Sequence, residues 1–300
     1  GVCQSGIVAK TFSFRLTQIG IPSAFSGDAL MVSASLAFLT ENDAFIAKQI
    51  EAQYVPFAVK EEDLEVAVKG MKAIGIKGFN VTVPHKTAIM PYLERIDSLA
   101  LAIGAVNTVK YENGEYVGYN TDGLGYVKGL TEQLQVSLSS QRVLIIGAGG
   151  AARAIYYSLI QEGVTIADIA NRTMSRSEEI IGQCPFPVES KAISIREAEE
   201  NLQQYDLIIN TTSIGLTPNV EDKPLSLQNL RADAFVSDII YNPLETKFLK
   251  EAKLKGASVQ NGVPMFIHQG ALAFQIWTGI RPNTDRMSNI VLRKLGGIPC

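Results

Sequence analysis

The sequence predicts an α/β protein, with a parallel sheet flanked by helices and a second α/β domain assembled from both ends of the chain. Three observations carry this reading. Short apolar runs of strand length alternate with longer amphipathic stretches through the second half of the chain. A glycine-rich turn joins one of those runs to a helix. The chain has 300 residues, too many for one typical domain of ~150 residues and comfortable for two.

Taken in order, Glu61 to Ile74 places Leu64, Val66, Val68 and Met71 at helical spacing. Gly78 to Pro84 alternates as a strand that Pro84 stops. Lys86 to Leu99 reads as helical in part. Ala105 to Tyr111 reads as a strand turned by the Asn113-Gly114 pair, a hairpin signal. Val143 to Ile146 is a buried strand, followed by a helix (Ala152, Ile155, Leu159, Ile160) closed by Gly163. Val164 to Ala170 returns as the next strand, so β, turn, α and β fit within about thirty residues. Strand candidates recur at Asp206–Thr212, Ala234–Tyr241 and Ala257–Gln260, with a helix from Pro243 to Lys255 closed by Gly256. From Pro264 onward the chain reads as helices centred on Ala-Leu-Ala-Phe-Gln-Ile-Trp. The expected layout is a parallel-sheet domain over residues 123–261, with residues 1–122 and 262–300 forming the discontinuous second domain.

Composition narrows the function classes. Apolar residues make up 46 %, and 27 basic side chains nearly balance 30 acidic ones. A disordered chain and a nucleic-acid binder relying on net positive charge are both excluded. With two histidines and three scattered cysteines, no zinc-finger spacing exists, and the odd cysteines point to a reducing, cytoplasmic setting. No apolar run reaches the ~18 residues of a membrane span. The expected partner is therefore a small molecule, not a membrane or a nucleic acid.

Gly147, Gly149 and Ala152 match G-x-G-x-x-G/A in the strand–turn–helix setting that gives the motif its meaning. Alone, such a turn can simply pack a helix on a strand. Within βαβ it points to a Rossmann-type site, where backbone N–H groups at a helix start meet a pyrophosphate. An NAD site would carry an acidic residue at the end of the second strand. This chain has Asn171-Arg172-Thr173-Met174-Ser175-Arg176, and guanidinium groups suit a ribose 2′-phosphate. The expected cofactor is NADP.

With these motifs stand Asn80-Val-Thr-Val-Pro-His-Lys86, Gly104-Ala-Val-Asn-Thr108, Gly118-Tyr-Asn-Thr-Asp-Gly123, Asn210-Thr-Thr-Ser213, Asp238-Ile-Ile-Tyr-Asn-Pro243, Asn261-Gly262 and Gln269-Gly-Ala271. In this order, over about four-fifths of the chain, the set resembles the shikimate dehydrogenases. The resemblance implies NADP-linked interconversion of 3-dehydroshikimate and shikimate, in the route to chorismate and the aromatic amino acids. It implies Lys86 as the catalytic lysine and Asp122 as its carboxylate partner. Thr82, Asn107, Tyr241 and Gln269 would contact the substrate. Gly147, Ala148, Gly149, Gly150 and Ala151 would hold the dinucleotide with Asn171, Arg172, Thr173 and Arg176, and Gly262 would lie near the nicotinamide. A quinate-using member and an NADPH-binding regulatory relative with an impaired substrate site are the alternatives. The assembly implied is a monomer or homodimer.

The chemistry of these residue types agrees. Hydride arriving at a ketone builds an alkoxide that needs a proton, and a protonated amine can supply it. Neutral donors and acceptors suit a polyhydroxylated ring, because an analogue lacking a hydroxyl would leave buried partners unpaired. Taken singly, each residue has a plainer reading: Lys86 as a surface side chain, Asp122 as a helix cap, Thr82 as strand filler, Gln269 on a solvated helix face. His85 and His268 are not required by this chemistry.

The first fifty residues depart from the family pattern. Its His-Ser-x-Ser-Pro string, whose hydroxyls grip the substrate carboxylate, is absent. Counting back from Tyr54 sets Ser35 at the first serine and Ala37 at the second. A two-residue shift gives Ser33-Ala-Ser35. Loss of one such hydroxyl corresponds to ~1.5–3 kcal/mol of charged hydrogen bonding.

Overall fold

The computed structural model describes residues 7–13, 50, 52–134 and 136–296. The chain divides into two compact units, residues 1–121 with 269–300, and residues 122–268.

The first unit holds a mixed sheet of six described strands in the order β2-β1-β3-β5-β6-β4. Strand β1 (Ile7–Ser13) runs antiparallel to β2 (Gln53–Val59) and to β3 (Gly78–Asn80). Between β2 and β3 lies helix α1 (Leu64–Ala73), which buries Leu64, Val68 and Met71. These sit at i, i+4 and i+7, so one stripe faces the sheet. Val66, counted with that stripe on spacing, faces solvent instead. β3 ends at Asn80, short of Pro84, although Val81 N still donates to Asn107 O at 2.8 Å. The short helix α2 (His85–Ala88) follows, then β4 (Arg95–Ile96) and α3 (Ser98–Ile103). Asp97 caps α3 through Leu99 N at 3.0 Å, and Gly104 closes it at φ 74°. β5 (Thr108–Glu112) and β6 (Glu115–Tyr119) form the expected hairpin. Asn113 (φ 51°) and Gly114 (φ 92°) supply the two positive dihedrals of a type I′ turn. Phe79, Val81, Ile89, Val106, Val109 and Tyr116 build the core with α1.

The second unit begins with α4 (Asp122–Gln133) and carries a parallel sheet of six described strands in the order β12-β11-β10-β7-β8-β9. β7 (Arg142–Ile146), α5 (Gly150–Gln161) and β8 (Ile166–Ala170) form the central β-α-β. α5 ends as expected, with Gly163 at φ 105° and Val164 N donating to Leu159 O at 3.0 Å. Next come α6 (Met174–Gly182), β9 (Ala192–Ile193), α7 (Ile195–Glu200), β10 (Leu207–Asn210) and β11 (Phe235–Asp238). Helix α8 (Lys247–Leu254) starts four residues later than Pro243, because Thr246 is its cap, accepting from Leu249 N at 3.3 Å. β12 (Ser258–Gln260) completes the sheet. Residues of β7, β10 and β11 such as Leu144, Ile146, Ile208 and Val236 are buried, as strands covered on both faces require.

Helix α9 (Val263–Thr278) leaves the second unit at His268 and enters the first, followed by α10 (Thr284–Lys294). Among the described residues no helix is long and apolar enough to cross a membrane, and no cluster of His, Cys, Asp and Glu could hold a metal ion.

Candidate active site

In the first unit, α2 presents Lys86 half-buried. One turn of helix cannot hold itself, so neighbouring backbone anchors it. Val106 N donates to the Lys86 carbonyl at 2.8 Å, Thr87 Oγ1 to Gly104 O at 3.2 Å, and His85 N to Thr82 O at 2.9 Å. Thr82, half-buried, thus caps the turn through its carbonyl. The loop after α3 fixes both Lys86 and the residue that follows it, Asn107.

Asn107 is buried, and its carboxamide organises the end of the β5–β6 hairpin. Its Oδ1 accepts from Thr121 N at 2.8 Å and from Thr108 Oγ1 at 3.0 Å; its Nδ2 donates to Thr121 Oγ1 at 3.0 Å. Asn80 Nδ2 donates to Asn107 O at 3.2 Å and to Thr108 Oγ1 at 3.1 Å, while Tyr54 OH donates to Asn80 Oδ1. Asn120 Nδ2 reaches Ala105 O at 3.0 Å. The result is a polar cluster of amides and hydroxyls, whose donors and acceptors suit the hydroxyl groups of a ligand. Asn80, Thr108, Asn120 and Thr121 lie inside motif strings but carry no assignment from sequence. The available signal was their crowding of polar side chains at strand ends. Gln269 is half-buried on α9 in this unit.

His85 is fully buried, and burial pulls its imidazole below the usual histidine range. It is accordingly neutral at physiological pH. His268, in the second unit, pairs with Glu132 through Nε2 at 2.9 Å and joins α9 to α4.

In the second unit, Asp122 is the first residue of α4. The next residue, Gly123, lets α4 press on α5: a Cβ there would lie 2.2 Å from Ala154 O and 2.2 Å from Ser158 Oγ. The glycine turn lies at the C-terminal end of β7. Gly147 has φ 108°, donates to Ala170 O at 2.8 Å, and would set a Cβ 2.8 Å from Thr211 Oγ1. Only glycine satisfies both demands. Gly149 and Gly150 are exposed, with nothing within 4 Å of an added Cβ. Gly149 caps α5 without a side-chain hydrogen bond, so the first-turn N–H groups of Gly150 and Ala151 have no side-chain cap, with half-buried Ala148 preceding them. That is the cradle a pyrophosphate needs.

Asn171 to Arg176 follow β8. Asn171 Nδ2 donates to Thr173 O at 2.8 Å and shapes the turn, leaving Arg172, Thr173 and Arg176 exposed. No carboxylate stands at this strand end.

The third element is the turn after β11. Gly262 is buried against it: a Cβ would meet Ile239 O at 2.0 Å, and Gly262 N donates to Ile240 O at 2.9 Å. The Tyr241 ring lies 5.3 Å from that of Phe266 at an interplanar angle of 45°. Asp238, buried at the end of β11, accepts from Ile240 N at 3.0 Å, Asn210 Nδ2 at 3.1 Å and Thr246 Oγ1 at 2.8 Å. Burial pushes its carboxyl up to about 6 against those hydrogen bonds. Ser33 and Ser35 lie outside the described residues.

Residues 29–109 match the family model for the shikimate dehydrogenase substrate binding domain. Residues 129–239 match that for shikimate / quinate 5-dehydrogenase, and residues 262–292 that for the shikimate 5′-dehydrogenase C-terminal domain. A shikimate dehydrogenase (NADP(+)) of Bacillus cereus is 53 % identical over 266 residues, 89 % of this chain and 96 % of that protein. The crystal structure of a shikimate dehydrogenase in complex with NADP+ superposes with a TM-score of 0.80 at 42 % identity, covering 88 % of this chain and 92 % of the other. The Thermus thermophilus shikimate 5-dehydrogenase in complex with NADP(H) and shikimate gives 0.77 at 32 % identity, covering 86 % and 94 %.

Proposed function

The chain belongs to the shikimate dehydrogenase family, and from that premise we propose how its residues divide the work of an NADP-dependent oxidoreductase that interconverts 3-dehydroshikimate and shikimate. The observation that carries the reading is the second unit's open glycine turn, with the basic, carboxylate-free segment that ends the next parallel strand.

The residues present fit an NADP. Gly147 to Ala151 would receive the pyrophosphate on backbone N–H groups and the positive end of α5. Arg172 and Arg176 would grip the 2′-phosphate, with Asn171 and Thr173 holding the ribose. Gly262 would flank the nicotinamide, since its lack of a side chain already permits one close backbone approach. When bound, the reduced cofactor supplies a hydride to the ketone carbon.

Lys86 protonates the alkoxide that forms on the carbonyl oxygen, and accepts that proton in the reverse direction. Asp122 is its carboxylate partner. Asn107, Thr82, Tyr241 and Gln269 bind the ring hydroxyls and carboxylate, and orient the carbonyl toward the hydride. The scattered cysteines support a cytoplasmic site of action.

The test is absorbance of the reduced nicotinamide with shikimate or quinate, each with NADP+ or NAD+. Turnover of shikimate with NADP+ is the expected result. Turnover of quinate alone would reassign the substrate, and NADP+ binding without turnover of either would overturn the enzymatic reading.

A further inference from the structure

The proposed cofactor-binding residues of the second unit and Tyr241 lie past the C-terminal ends of its strands, in loops or in the first turn of the following helix, and loops need something to hold them. Asp238 stands where three of these segments converge. Its Oδ1 accepts from Asn210 Nδ2 at 3.1 Å and Ile240 N at 3.0 Å, while its Oδ2 accepts from Thr246 Oγ1 at 2.8 Å. Asn210 passes the restraint on, because its own Oδ1 accepts from Thr212 N at 3.0 Å and Thr212 Oγ1 at 2.7 Å. Thr212 in turn lines the glycine turn, its Cγ2 lying 2.9 Å from where a Cβ on Gly147 would be. In the other direction, Ile240 O receives Gly262 N at 2.9 Å, and the next residue is Tyr241.

A fully buried carboxylate is an expensive way to fill space, and a well-packed apolar residue of similar volume would commonly serve stability as well or better. What a carboxylate adds is direction: two oxygens accepting three donors from three separate segments define one arrangement of those segments. None of the three donors is a charged group that would require an anion. The geometry therefore answers to the placement of the loops.

We propose that Asp238 is a positioning residue for the reaction, whose carboxylate clasps the Asn210–Thr212 loop, the Ile240–Tyr241 turn and the start of α8, and so sets Tyr241 and Gly262 toward substrate and nicotinamide. This rests on the roles given to Tyr241 and Gly262 above. Asp238 touches neither substrate nor cofactor and acts through Tyr241.

The experiment is a double-mutant cycle of Asp238→Ala with Tyr241→Phe, read as kcat and KM for shikimate with NADP+, with Asp238→Asn as the conservative variant. Asp238→Ala is expected to lower kcat/KM by about 100-fold, as misplacement of a binding group does. In the Tyr241→Phe background the same change is expected to cost roughly 10-fold less, because the residue it acts through is already impaired. Asp238→Asn, which keeps an acceptor for Ile240 N and Asn210, recovers most of the loss. Equal losses in both backgrounds, or a lower kcat with unchanged KM matching a reduced active fraction, would overturn the role. Should Asp238→Ala not fold, Thr246→Val removes one clasp hydrogen bond, and the same coupling to Tyr241 decides the matter. Wild-type protein that fails to turn over shikimate overturns the functional reading itself. Turnover by wild type with an additive cycle overturns only the clasp.

Discussion

Trp277 Nε1 donates to the Val109 carbonyl at 2.9 Å, joining residues 168 positions apart in the chain. Gly78 makes room for the indole, since a Cβ there would sit 2.5 Å from Nε1, and Tyr54 packs on it with ring centroids 5.9 Å apart. The end of the chain is thereby built into the core of the unit that the first 121 residues form. Trp277→Phe keeps most of the ring but strips the donor, and urea unfolding should show a loss of about 1–3 kcal/mol. Trp277→Ala should cost about 3–5 kcal/mol. A Phe variant within about 0.5 kcal/mol of wild type would show that the bond contributes nothing.

Lys86→Met removes the proton donor while keeping the length of the side chain. A group that acts only as the alkoxide forms should lower kcat by about 10²–10⁴ and leave KM for shikimate within a few-fold. Steady-state kinetics decides: a kcat near wild type removes Lys86 from the proton's path.

Arg172→Asp sets a carboxylate against the 2′-phosphate. Loss of a charge-assisted pair worth roughly 1.5–3 kcal/mol should raise KM for NADP+ by about 10- to 100-fold. KM for NAD+, which lacks that phosphate, should hardly move. Equal effects on the two cofactors would show that this segment does not read the 2′ position.

Asp238 also carries a pH signature. Its carboxyl is raised from 3.8 to about 6 in the folded protein, so between those values the folded state holds a proton that the unfolded state has released. Stability from this group is therefore full below about pH 4 and declines as pH rises toward 6, by about 3 kcal/mol in all. Asp238→Asn removes the titration. Relative to wild type, the variant should gain stability between pH 4 and 6, measured as the difference in urea midpoints at fixed m. A difference that stays flat across that range would show that the carboxyl is not displaced. His85 runs the opposite way: its lowered value adds stability above about pH 6.5 that is lost on acidification.

The Rossmann-type half was the more legible part of the sequence. Its strands are covered on both faces, so apolar runs such as Leu144 to Ile146 mark them directly, and glycine at 147 and 163 is required by backbone geometry. The first unit was less legible, because its sheet is mixed and side-chain hydrogen bonds such as Asn80 Nδ2 to Asn107 O carry the pairing past the backbone ladder. The segment after Asn80 alternates like a strand but leaves the ladder, and only Val81 keeps a backbone bond to Asn107. Pro243 suggested a helix start that Thr246 performs, since a hydroxyl cap outweighs a nearby proline. Among the candidate site residues, the glycines and arginines stood out by type and spacing. Asn80, Thr121 and Asp238 did not, because hydrogen bonds made at a distance in sequence leave no periodicity to read.

The Asn113-Gly114 turn makes β5 and β6 a ruler. Register runs without interruption from Glu112 opposite Glu115 at the tip to Thr108 opposite Tyr119 at the base, about 14 Å away at ~3.4 Å per residue. At the base, Asn107 meets Thr121 only because the count on the two arms agrees. The tip's chemistry is free to drift, provided that its two residues keep positive φ. Its length is not, since one added residue would shift every pair below it and turn the amide of Asn107 away from its partner. The polar cluster in the first unit thus depends on arithmetic at a solvent-exposed turn that shares no atom with it.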